Sequence, residues 1–175
     1  KKTARYVIKE EEAGILEFMY HVYQSPFASL GDVVTALKEA GIRHPRKEDG
    51  KWTRTHIGRM LRNPAYVKAD LAVYNFFLEH GVVIHNPPEE FIGTNGCYLY
   101  SEKGKTHPNY RLEGHHLVLA PHSGLIPSDI WLRCRKKQKH EGETVRQNKI
   151  KNTWLAGKIK CAGCGYAVIV QKTVK

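Results

Sequence analysis

From Trp52 to Tyr66 the chain reads W-T-R-T-H-I-G-R-M-L-R-N-P-A-Y, and this stretch decides how the rest is read. Thr53 is an N-cap candidate, because its hydroxyl can accept a hydrogen bond from a first-turn N–H that has no partner inside a helix. Trp52 and Ile57 are spaced as a hydrophobic staple. At the far end Pro64 lacks an N–H and disfavours the α conformation at Asn63, so the helix is expected to stop near Arg62. At about 100° per residue, Ile57, Met60 and Leu61 fall in one arc, and Arg54, Thr55, Gly58, Arg59 and Arg62 share an adjoining one. One side packs and the other presents three guanidinium groups. Planar guanidinium donors can bind two acceptors at once, on a phosphate or on the O6/N7 edge of guanine, and Gly58 would let the helix backbone come close to a duplex. A solvated charged face explains the same pattern and, for an isolated helix, is the commoner explanation.

The surrounding charge shifts that balance. The 175 residues are 41% hydrophobic, enough for one sizeable core or two small domains, and carry a net charge of +11. Residues 1–70 carry 13 basic and 9 acidic groups, residues 71–126 carry 3 and 5, and residues 127–175 carry 12 and 3. Two basic blocks flanking a mildly acidic one suit a long polyanion touched at two places. An anionic membrane is the rival, but no stretch approaches the roughly 20 apolar residues of a spanning helix, and the basic segments lack a strong apolar face. Nucleic acid is the expected partner. Cys97, Cys134, Cys161 and Cys164 do not form a secreted disulfide framework, so a reducing cytoplasm is expected. The opening K-K-T-A-R-Y-V-I-K-E-E-E has no initiator Met and no signal-type apolar core, as in a piece of a longer protein.

The periodicity predicts a helix over Glu10–Gln24, with Ile15, Phe18, Met19, Val22 and Tyr23 buried, and a second from a Ser29 cap to Ala40, with Leu30, Val33, Val34 and Leu37 inside and Gly41 closing it. Two helices followed by the basic third give a helix-turn-helix-like order, although the loop R-H-P-R-K-E-D-G-K is longer than the usual tight turn. A further helix is expected over Asp70–His80, then a strand at V-V-I-H and a small sheet with long loops between Pro87 and Gly124. A last helix runs over Pro127–His140, with Ser128 as a possible cap, Ile130, Trp131 and Cys134 on one side and a basic end, R-C-R-K-K-Q-K-H. Those cations suit either the helix's own C-terminal dipole or DNA. The fold class is therefore α+β.

In this order the elements resemble the DNA-binding region of large serine recombinases, the phage-integrase and transposase family. Four segments carry the likeness: V-I-K-E-E-E-A-G-I-L-E-F-M-Y-H-V-Y, S-L-G-D-V-V-T-A-L-K-E-A-G-I, the Trp52–Tyr66 stretch, which is similar to the family's W...I...L.NP.Y signature, and N-T-W-L-A-G-K-I-K-C-A-G-C-G-Y, which resembles the start of its zinc ribbon. The resemblance implies residues 1–9 as a linker from a missing catalytic domain, 10–140 as the DNA-binding domain, 141–152 as a second linker and 153–175 as a partial zinc β-ribbon. It also implies that the full protein exchanges strands through a serine nucleophile at a double-stranded attachment site, as a homodimer or tetramer on DNA. No serine of this chain sits in the family's nucleophile motif, so the fragment should bind DNA without cleaving it. Lys1, Lys2 and Arg5 match the segment that follows the minor groove, where cations meet a narrow, electronegative channel. Arg54, Thr55, Arg59 and Arg62 are expected to face the major groove, with Lys51 and Lys68 on phosphates.

Cys161 and Cys164, followed by Gly165, read as a zinc knuckle. Structural zinc needs four ligands, so the expectation is zinc in the full-length protein and half a site here. Cys134 is expected as a buried thiol, and His115, His116 and His122 as packing or exposed residues of an apolar strand. Two rivals remain. A standalone DNA-binding transcription regulator would explain the basic helix but not the zinc-ribbon start, and a metal-dependent nuclease using His85, Glu89 and Glu90 lacks a compact catalytic motif.

Overall fold

Three amphipathic helices and the turn that ends the third set the frame. The computed structural model describes residues 7–101, 112–143 and 162–163. The chain divides into two compact units, Lys1–Lys139 and His140–Lys175, and almost every described residue belongs to the first. Helix α1 spans Glu10–Tyr23 and begins with Glu10, Glu11 and Glu12, whose charge complements the N-terminal dipole. Its buried seam is Leu16, Met19, Tyr20 and Tyr23, whereas Ile15, Phe18 and Val22 of the expected stripe are half-buried. The helix is apolar on most of its circumference, so its neighbours select the seam. Tyr20 fixes the choice, since its hydroxyl donates to the Leu61 carbonyl at 3.0 Å and satisfies a last-turn acceptor of the third helix.

Helix α2, Leu30–Glu39, starts on a reciprocal capping box between Ser29 and Asp32 and ends where Gly41 takes φ +68°. There the Ile42 N–H reaches the Leu37 carbonyl and the Gly41 N–H the Lys38 carbonyl, which closes the helix end. Helix α3 is Arg54–Arg62, with Thr53 as N-cap and Asn63 extended at its end. A 3-10 turn over Pro64–Tyr66 follows, and α4 spans Leu71–Glu79 on an Asp70 cap.

The three-stranded sheet has the order β1-β3-β2, with β1 at Val83–Ile84, β2 at Asn95–Ser101 and β3 at His115–Ser123. Strand β1 runs parallel to β3 with Ile84 opposite Leu117, and β2 runs antiparallel with Tyr98 opposite Val118. The expected small sheet is present, although its first strand is only two residues long. Helix α5, Ser128–Glu143, runs three residues into the segment read as a linker. Ser128 is its first helical residue rather than its cap, because the Trp131 N–H already reaches the Pro127 carbonyl and the Ser128 hydroxyl is engaged by the Asp70 carboxylate. One core joins the helices to the sheet, with Met19, Leu37, Ile57, Leu61, Phe77 and Trp131 fully buried in it.

The exit of α3 is tied to the sheet end chiefly by backbone hydrogen bonds. The Tyr66 carbonyl accepts the Leu125 and Ile126 N–H groups at 2.8 Å each, and the Lys68 N–H returns a bond to the Ile126 carbonyl at 2.8 Å. Gly124 permits this approach, since a Cβ there would collide with the Val67 carbonyl. The direction of α3 is thus held at both ends.

Candidate nucleic-acid interface

Helix α3 forms as its sequence requires. The Thr53 hydroxyl accepts the His56 N–H at 3.3 Å, and Pro64 ends the helix after Arg62. Its buried side, however, is Ile57, Gly58 and Leu61, while Met60 is half-buried. Gly58 therefore does not face a ligand. A Cβ on it would stand 3.3 Å from Leu30 Cδ1, so the glycine lets α3 close against α2. Arg54 is exposed near the start of the helix. Its guanidinium lies across Gly31, and its charge joins the Ser29 N–H and hydroxyl in holding the Asp32 carboxyl below the usual carboxylate range. Thr55, Arg59 and Arg62 lie within an arc of about 60° on the side away from the core.

Before α3, Trp52 is buried and donates from Nε1 to the Ile42 carbonyl at 3.0 Å. Its ring lies against both His44 and His56. These histidines bond to one another, Nε2 of His44 to Nδ1 of His56, at 2.8 Å. Lys51 and Lys68 are exposed on either side of α3 in sequence, and among the described residues neither makes an ion pair.

Arg59 and Arg62 line a cleft of about 530 Å³ together with Arg135, Asn63, Tyr100 and Ser101. Among the described residues no carboxylate lines it. Arg59 is exposed, Arg62 and Arg135 are half-buried, and the Nε atoms of the latter two are buried without an acceptor. Burial lowers the Arg62 pKa and the Arg59 charge lowers it further; burial lowers that of Arg135 to about 10, with Arg62 contributing. Sequence reasoning did not single out Arg135, which lies in a run of cations. The structure separates their tasks. Arg133 pairs with Asp129 at 2.8 Å, and Lys137 donates to the Tyr23 and Ser25 carbonyls at 2.9 and 2.6 Å, capping α1 rather than its own helix. Arg135 stacks on Phe76 and Trp131, 5.7 and 5.4 Å from the ring centres.

Lys1, Lys2, Arg5, Cys161 and Cys164 lie outside the described residues, as does most of the expected zinc ribbon. Cys97 and Cys134 are free thiols in the core, and burial pushes them up to about 12 and about 11. Neither offers a thiolate near neutral pH. His115 is buried against the Leu112 carbonyl, His116 bonds His85 at 2.9 Å, and His122 bonds the Ala65 carbonyl at 2.8 Å. Glu90 accepts from Asn86 at 2.7 Å, and the described residues hold no cluster of three metal-ligating side chains. The nuclease reading finds no support in that arrangement. No helix among the described residues is long and apolar enough to cross a membrane.

Among known families, residues 10–141 match the family model described as Recombinase. No curated protein and no solved structure matches the chain.

Proposed function

The chain belongs to the Recombinase family, a domain family of serine recombinases, and from that premise we propose that it binds double-stranded DNA at attachment sites within a site-specific recombinase. Residues 10–140 are its DNA-binding domain, and strand exchange belongs to a serine domain elsewhere in a full-length protein that acts as a dimer or tetramer in the cytoplasm of a bacterium. The observation that carries this reading is the outer face of α3. Thr55, Arg59 and Arg62 share one side of a helix capped at its start and tied to the sheet beyond its end, and among the described residues neither arginine has an acidic partner. Such a rigid cationic helix suits the width of the major groove, where Arg59 reads a base edge. Lys51, Arg54 and Lys68 supply phosphate contacts, and Lys1, Lys2 and Arg5 follow the minor groove.

The family match runs from α1 into α5 and so favours this reading over a standalone regulator. Zinc belongs to the full-length protein, with Cys161 and Cys164 as half of its ligands; the core thiols Cys97 and Cys134 are too deeply buried to complete the set. A footprint of the chain on DNA flanking its own gene tests the proposal. The expected result is one protected site, with binding that weakens steeply as salt rises because counterions are released. Uniform weak protection at every sequence would contradict it.

A further inference from the structure

We propose that Arg62 and Arg135 form a built pocket for a single phosphodiester of the DNA backbone, leaving Arg59 and Thr55 to meet the bases; this rests on the DNA-binding reading. Two half-buried cations sit in one cleft, and among the described residues no carboxylate stands in its wall. Each has an Nε atom that is removed from water and lacks an acceptor. A buried charge is costly unless paired, and two like charges side by side raise that cost, so the free protein holds an electrostatic debt that an anion relieves. The depressed pKa values of both guanidiniums follow from the same arrangement.

The surroundings suit a tetrahedral anion. Arg135 is braced against the Phe76 and Trp131 rings, which holds its guanidinium in the cleft before any ligand arrives. Planar, pre-oriented guanidiniums bind phosphate oxygens two at a time. Asn63 and Ser101 also line the cleft, and their side chains carry amide and hydroxyl donors. Arg59 lines the same cleft but is exposed. A phosphate seated between α3 and α5 would fix the depth and rotation of α3 in the groove. That pocket turns a positioning contact into a condition for base readout.

The test uses the full 175-residue chain and its footprinted duplex. Arg135→Gln is titrated over a series of KCl concentrations, on that duplex and on a scrambled one. Affinity should fall about tenfold or more on both duplexes, as when a charged hydrogen bond is lost. The slope of log K against log salt should become shallower by about 0.9, the loss of one neutralised phosphate. A single neutral methylphosphonate moved along the duplex should weaken the unsubstituted protein about tenfold at one position and leave Arg135→Gln indifferent there. Should Arg135→Gln fail to fold, Arg62→Gln is carried through the same titrations, and the methylphosphonate scan needs no variant. An unchanged salt slope, or no sensitive phosphate, overturns the pocket while the DNA-binding reading stands. Failure of the unsubstituted protein to bind any duplex overturns both.

Discussion

Gly58→Ala separates the packing of α3 from its outward face. If Gly58 faced the duplex, a methyl group there would push the helix off the DNA. In the structure Gly58 is buried, and the new Cβ would stand 3.3 Å from Leu30 Cδ1, a few tenths of an ångström inside comfortable contact. Leu30 is half-buried and its methyl lies at the end of a flexible chain, so a small rotation relieves the contact for about 0.5 kcal/mol. Against this, alanine in a helix interior is favoured over glycine by about 1 kcal/mol. The net expectation is stabilisation of about 0.5 kcal/mol, or a urea midpoint raised by about 0.3 M at a slope near 1.5 kcal/mol/M. DNA affinity should change less than about twofold, because the substituted atom never reaches the duplex. Urea denaturation and fluorescence anisotropy on the footprinted duplex check both quantities. A loss of more than about tenfold in affinity, with stability unchanged or raised, would refute the reasoning.

Tyr20→Phe removes the donor to the buried Leu61 carbonyl and should destabilise the chain by about 1–3 kcal/mol; a urea midpoint equal to wild type would show that the bond carries no weight. Gly124→Ala drives a methyl group into the Val67 carbonyl and should cost about 2–4 kcal/mol, so a thermal midpoint within a degree or so of wild type would contradict the backbone anchoring of α3. The histidine pair predicts acid sensitivity. The Arg46 N–H donates to His44 Nδ1 at 3.1 Å, so His44 carries its proton on Nε2 and donates it to His56 Nδ1, and both rings are neutral. Burial lowers both pKa values, with Lys47 adding to the effect on each, His44 and Arg59 on His56, Arg46 on His44, and Asp49 opposing on His44. On acidification the unfolded chain takes up protons first, so stability is fully present above about pH 6.5 and is lost as pH falls through the lowered folded-state values. Chemical denaturation over that window should show a shallower pH slope for His56→Gln; an identical slope would sink the argument.

Local signals were legible in the sequence. Thr53 and Ser29 cap helices because their side chains reach only two or three residues, and Pro64 and Gly41 end helices by their own backbone constraints; Asp70, read as the first residue of its helix, proves to be its cap. The orientation of α3 was not legible at that range. Whether Gly58 turns inward depends on Leu30, 28 positions earlier, and whether Arg54 is free depends on Gly31 and Asp32. The same holds for α1, whose apolar residues nearly encircle it and whose seam is chosen by Leu61. Arg133, Arg135 and Lys137 are equivalent in a basic run; contacts with Asp129, with Phe76 and Trp131, and with the end of α1 distinguish them. The candidate face was thus legible as a helix and a charge pattern, whereas which of its side chains pack inward depends on residues distant in sequence.

Arg59→Ala, titrated on the footprinted duplex and on a scrambled duplex at one salt concentration, tests the central claim that the outer face of α3 meets DNA. The account predicts a loss of about 1–3 kcal/mol on the footprinted site and a clearly smaller loss on the scrambled one. Unchanged affinity on both duplexes would contradict it, because an exposed arginine at the middle of a groove-facing helix cannot be removed without effect.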